Sequence, residues 1–533
     1  MRPSDREMMG QYVTARLADS IGADAVASRN YSALLGAMPD EIGVATRAYR
    51  RAMISGDFDL AVKSAVVLDK AGILPADGRL LFFVKAVQDR DWGGAGRAVD
   101  RVMSDGNFDF LGPILRAWVA MGSGSGDPVA LLDASPSSAL ASAFRPEQRA
   151  LLLLAAGRTD EGLAASQAVA AAGGARTFAF RLSAASTLLA KGRKDAAEAL
   201  LAGDEPPLVA ARAMIASGNP PATPVLGPAE GVARLFGRLA IDLGAQKPSP
   251  LSLSFGWLSL ALDPKDDAVR LATGRALAAA SDGADEALAV IDPVNGAGPF
   301  APLKDEFSVV LLARDGQRDK ALEVARALAD KPGASLPDVV RLGDTYASLD
   351  RYAEAADSYG RAIRQAERDP DARAVLGSLY MLRGGALERS GDWKKALPVL
   401  SKAVELSPDD PTALNYLGYA QLERGQNIAK AAALVTRAAE LKPDDPAIAD
   451  SLGYALLLRG DVAGAVAALE RAVAGQPDDP TINEHLGDAY WASGRHFEAR
   501  YAWRAAAVLA DGKSAPRIAE KLERGLDQAG RIR

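Results

Sequence analysis

The chain has no cysteine among its 533 residues, which excludes disulfides, a thiol nucleophile, Cys-ligated zinc and an acylated lipobox. It has two histidines, His485 and His496, so any His-based metal site or catalytic triad must use one of them. Aromatic residues make up 6% of the chain against 49% hydrophobic residues, and alanine supplies about one residue in five. That balance favours helices packed closely through small side chains. Charge of one sign is also missing: 62 Lys+Arg against 68 Asp+Glu leaves −6, with no long basic block to track nucleic-acid phosphates. The apolar run Ala150 to Ala156 is far short of the roughly 20 residues that span a bilayer. Residues 1–25 carry Asp5, Glu7 and Asp19 and no apolar h-region, so the chain as written is expected in the cytoplasm. A periplasmic location is expected if a longer N-terminus exists.

What is present is repetition. The stretches Pro411-Thr-Ala-Leu-Asn-Tyr-Leu-Gly418, Pro446-Ala-Ile-Ala-Asp-Ser-Leu-Gly453 and Pro480-Thr-Ile-Asn-Glu-His-Leu-Gly487 start 35 and 34 residues apart, each after Asp-Asp. An Asp N-cap (Asp410, Asp445, Asp479) followed by Pro at the first helical position is a helix start: the carboxylate accepts orphan N–H groups, and Pro has none to leave unpaired. Gly425, Gly460 and Gly494 then mark a tight turn. A second helix follows, with small Ala431, Ala465 and Ala499 and bulky Val435, Leu469 and Trp503 four residues on. Each unit is a helix, a turn and a helix, called A and B below.

This pattern resembles the tetratricopeptide repeat (TPR), and the unit at 336 adds Leu342, Gly343, Tyr346, Tyr352, Ala355, Tyr359 and Ala362. The fold class expected is all-α, a right-handed α-solenoid of stacked TPR helix–turn–helix units. Unit starts are expected near residues 8, 42, 76, 110, 143, 178, 232, 267, 302, 336, 377, 411, 446 and 480. The organisation predicted is a degenerate TPR solenoid over 1–202, a Pro-rich joint over 203–231, degenerate units over 232–335 and well-formed units over 336–510. Residues 511–533 combine Ile518, Leu522 and Leu526 with six basic and four acidic residues, which suits a one-faced capping helix.

No motif points to catalysis, and neither a cofactor nor a metal site is expected. Gly512-Lys513-Ser514 imitates the end of a P-loop, but Ala507 stands where its first glycine belongs. Gly122, Gly124 and Gly126 lack the spacing of a dinucleotide fingerprint and read as a lengthened loop. His485 and His496 are eleven residues apart, which is not the spacing of a helical metal pair, and His496 occupies an aromatic packing position.

The chain is therefore predicted to be a non-catalytic scaffold for a protein partner, with no nucleic acid and no integral membrane segment. Side chains at repeat positions 2, 5, 9 and 12 of helix A line the groove of TPR proteins. The resemblance places Met381, Glu388, Asn415, Tyr419, Asp450, Tyr454, Glu484, Asp488 and Trp491 there. The partner-binding set is Asn415, Tyr419, Asp450, Tyr454, Glu484, Asp488 and Trp491, with the charged members expected at the surface and the aromatics either anchoring a partner or packing between helices. The partner is an extended or helical segment, and an acidic tail is expected to be repelled. The motifs in 411–507 also resemble a group of long bacterial TPR proteins, some of them envelope adaptors. That likeness implies an alternative role, bringing cell-wall hydrolases to a carboxy-terminal-processing protease.

Overall fold

The computed structural model describes residues 5–136, 138–174, 177–246, 249–280, 284–510, 512 and 514–526. The fold is all-α, a solenoid of helix–turn–helix units with no strand among the described residues. Every expected unit start has a helix N-terminus within four residues. The chain divides into two compact units, residues 1–324 and 325–533.

In the C-terminal unit the sequence signals operate as local physics requires. Asp410, Asp445 and Asp479 cap helices Pro411–Glu423, Pro446–Leu458 and Pro480–Ala492, each accepting two backbone N–H groups at 2.8–3.3 Å. The turn glycines Gly425, Gly460 and Gly494 sit at φ of 62°, 82° and 83°, left-handed backbone that a Cβ disfavours. Within each pair the glycine of the Leu-Gly motif faces the bulky residue of helix B. A Cβ on Gly418, Gly453 or Gly487 would lie 2.6, 2.4 or 2.3 Å from the side chain of Val435, Leu469 or Trp503. The missing Cβ is what lets helices A and B approach, and Ala431, Ala465 and Ala499 are fully buried at that crossing.

In the N-terminal unit the same pairs occur with an addition. Helices Pro228–Gln246 and Pro250–Leu262 fold back onto helices far earlier in the chain. Ser254 donates to Asp77 at 2.8 Å, Trp257 Nε1 to the Ile54 carbonyl at 3.2 Å, and Gln88 to the Ala261 carbonyl at 2.8 Å. Phe255 packs edge-on against Phe108 at 5.6 Å, and Gly231 lies directly against Trp118. The unit therefore has a filled interior, where nearest-neighbour stacking alone would leave each repeat touching only its neighbours. The stretch read as a Pro-rich joint holds helix Pro206–Ala216 and then a strap across helix Phe178–Ala190. Ala222 N–H and Val225 N–H donate to the Ser186 and Thr187 hydroxyls at 3.0 and 2.8 Å, and this strap returns the chain to the interior.

Candidate functional site

Successive A helices of the C-terminal unit contact one another, and they carry the residues expected to line a groove. Tyr419, Tyr454 and His485, one from each of three successive A helices, form a ring ladder. The Tyr419 and Tyr454 centroids are 6.1 Å apart, and Tyr454 stacks on His485 at 4.5 Å and 14°. Both tyrosines are half-buried. Their phenols are raised by burial and then by neighbouring carboxylates, Glu423 first among them. Tyr419 donates to Glu423 at 3.1 Å.

Asp450 does not reach solvent, contrary to the expectation of a surface charge. It is 5% exposed, and its carboxylate contacts His485 Nδ1 at 2.9 and 3.1 Å. Burial pushes His485 down, but Asp450 outweighs it, with Asp488 and Glu484 adding, so the imidazole lies above its ordinary value. His485 is thus a buried partner of the ladder, and neither the composition nor the spacing of the sequence had marked it as one.

Glu484 is the second departure, at 3% exposure. Its partners come from the terminal helix Ala515–Arg524. Arg517 grips both oxygens at 2.8 and 2.7 Å, and Lys521 Nζ bridges Glu484 at 2.7 Å and Asp488 at 2.6 Å. Burial would raise Glu484, but these two cations hold it below the usual carboxylate value. Asp488 is raised by burial, which Lys521 only partly offsets, and it also accepts the Trp503 indole N–H at 2.9 Å.

Trp491 is likewise engaged by the chain itself. Its Nε1 donates to the Leu526 carbonyl at 2.9 Å, and its ring packs on Trp503 at 5.3 Å, on His496 at 4.1 Å and under Gly525. His496 is exposed against that ring and not in the core. Asn415 stands apart from the ladder, with a buried Oδ1 that has no hydrogen-bond partner among the described residues. Glu388 accepts from Tyr416 at 3.2 Å and pairs with Arg424.

Sequence reasoning missed Arg517 and Lys521 as site residues. The available signal was their separation of 33 and 37 residues from Glu484, close to one repeat, on a helix already predicted to cap the array. Ile518 and Leu526 are buried with Ala499, Trp503 and Ala506, so this helix continues the stack where a further helix A would sit. Lys513, within the P-loop imitation, lies outside the described residues.

No helix among the described residues is long and apolar enough to cross a membrane. No curated protein sequence matches the chain. Similar solved structures include PilW, a widely conserved type IV pilus biogenesis factor, at 20% identity and TM-score 0.31, covering 36% of this chain and 87% of that one. A thermophilic TPR protein of Thermus thermophilus, TTC0263, is 23% identical with TM-score 0.30, covering 36% of this chain and 100% of its own. YrrB, described as a TPR protein with an unusual peptide-binding site, is 22% identical with TM-score 0.27, covering 34% and 89%. Family models for the tetratricopeptide repeat match residues 340–390 and 381–446, and a TPR repeat model matches 453–494. These segments hold the capped, glycine-turned helix pairs described above, and within them the chain carries tetratricopeptide repeats.

Proposed function

We propose that the chain is a non-catalytic scaffold that binds a segment of a protein partner on the A-helix face of its C-terminal repeats. One observation carries this reading: Tyr419 and Tyr454 remain half-exposed on that face, beside carboxylates that already hold a cationic helix of the same chain. Large amphipathic rings with partial exposure are the residues that anchor interfaces. The partner segment is basic or amide-rich, extended or helical, because Glu423 stands exposed next to Tyr419 and the other acids of the groove are already paired.

Within this reading the seven groove residues divide by task. Tyr419 and Tyr454 contact the partner, and Asn415 shares a helix with Tyr419. Asp450, Glu484, Asp488 and Trp491 hold the A helices and the terminal helix in register. Affinity capture with the wild-type chain and the Tyr419→Ala/Tyr454→Ala double variant as matched baits tests it. Partners that disappear with the double variant, at unchanged helix content, support the reading. An identical set of partners from both baits rejects it and moves attention to the opposite face. A carboxy-terminal-processing protease among the lost partners would narrow the role to an adaptor that delivers cell-wall hydrolases.

A further inference from the structure

The helices of the N-terminal unit enclose a cavity of about 340 Å³, remote from the TPR groove in sequence. Its wall is assembled from segments far apart in the chain and is largely apolar: Leu151, Phe180, Ile241, Leu271 and Phe300 all face it. The size falls at the lower end of the ~300–1,000 Å³ of small-molecule sites.

The charges around the cavity are of two kinds. Arg238 is paired with Glu147 and Asp242, and Arg234 with Asp263 and Asp266, so both guanidiniums of the wall are already matched by carboxylates. Arg234 is 8% exposed, yet its Nε–H has no acceptor among the described residues. Arg275 lines the same cavity but is exposed, which sets it at the opening. It lies over the Phe307 ring at 5.8 Å and has no carboxylate partner among the described residues. An apolar chamber with an uncompensated guanidinium at its mouth fits a ligand that is apolar along its length and anionic at one end. A purely apolar ligand would leave the Arg275 guanidinium unmet, and a cationic one would face it.

We propose that this cavity is a binding site for a small amphipathic carboxylate, its single apolar chain among Leu151, Phe180, Ile241 and Leu271 and its head on Arg275. Chain burial supplies the affinity, and the guanidinium, which pairs planar carboxylates in a bidentate fork, supplies head-group choice. The volume admits one short chain, so a free carboxylate is the source and a two-chain lipid is not.

Calorimetric titration of the full chain with decanoate, decanol and decyltrimethylammonium, each below its aggregation threshold, tests the assignment. Decanoate is expected to saturate at one per chain and to bind at least about tenfold tighter than decyltrimethylammonium. Arg275→Glu should lower decanoate affinity by about tenfold or more and erase that preference. Ala272→Trp, which puts bulk into the chamber, should abolish binding. Absence of saturable binding, equal affinity for all three heads, or wild-type binding by folded Ala272→Trp would each overturn the proposal. If circular dichroism shows that Ala272→Trp does not fold, Arg275→Gln decides, since its side chain is exposed. Unchanged decanoate affinity in that variant rejects the site.

Discussion

Tyr454 and His485 stack face to face across two successive repeats, with centroids 4.5 Å apart, while the same imidazole holds Asp450 at 2.9 Å. The ring thus couples a half-buried aromatic face to a buried ion pair. Because the folded imidazole lies above its unfolded value of 6.5, its contribution to stability is complete below that pH. It is lost as pH rises through the folded value. Thermal melts between pH 6 and 9 should show the C-terminal unit weakening on the alkaline side, and His485→Gln should flatten that slope. Asp450, Asp488 and Glu484 face the ring, and an unchanged slope in the variant would contradict the assignment.

On the acid side the sign reverses. Glu484 is held below its ordinary value, so its contribution is present above the unfolded pKa near 4.5 and lost as pH falls through the folded one. Glu484→Gln should reduce the acid sensitivity of the terminal helix, followed as the pH at which residues 515–524 become open to protease.

Removing Lys521 should be more damaging than removing Arg517. Lys521 is 9% exposed at its side chain and serves two carboxylates, whereas Arg517 is 60% exposed and serves one. Lys521→Met leaves buried carboxylates short of a cation, a change costing about 3–5 kcal/mol. Arg517→Met should cost about 1 kcal/mol or less after solvent screening. Denaturant titration of the two variants ranks them, and equal midpoints would show that the bridge is not structural.

Gly418→Ala tests the helix crossing. The new Cβ would stand 2.6 Å from Val435 and 2.9 Å from the Ala431 carbonyl, and a backbone atom cannot swing away. A loss of about 1–3 kcal/mol is expected. Gly96→Ala is the control, since no heavy atom lies within 4 Å of its Cβ position, and it should be neutral or stabilising.

The C-terminal repeats were legible because their determinants are local. Asp479, Pro480, Gly494 and Trp503 act within one helix pair, and each announces itself by residue type. The fate of Asp450 and Glu484 was not, because a carboxylate on a helix face reads as solvated until its partner is placed. Those partners, His485, Arg517 and Lys521, are brought in by stacking. The fold-back of Pro250–Leu262 left a readable trace that spacing alone passes over. The segment Leu-Ser-Leu-Ser-Phe-Gly-Trp-Leu-Ser-Leu is apolar or small on every side, as a helix surrounded by others must be. A 34-residue period gives such a helix the same weight as an outer one, so the fold-back stayed hidden.

The terminal helix also fixes where the array stops. Among the described residues, Glu484 and Asp488 of the last repeat are ion-paired from beyond it, by Arg517 and Lys521. A repeat duplicated and appended after residue 510 would push that helix one step along and strand two buried carboxylates. The array can lengthen by internal duplication, upstream of Pro480, without disturbing this pairing. Charge at the terminus in this way marks which repeat is last, and an engineered extension at that end must carry the acids of its new last A helix and the bases of the terminal helix together.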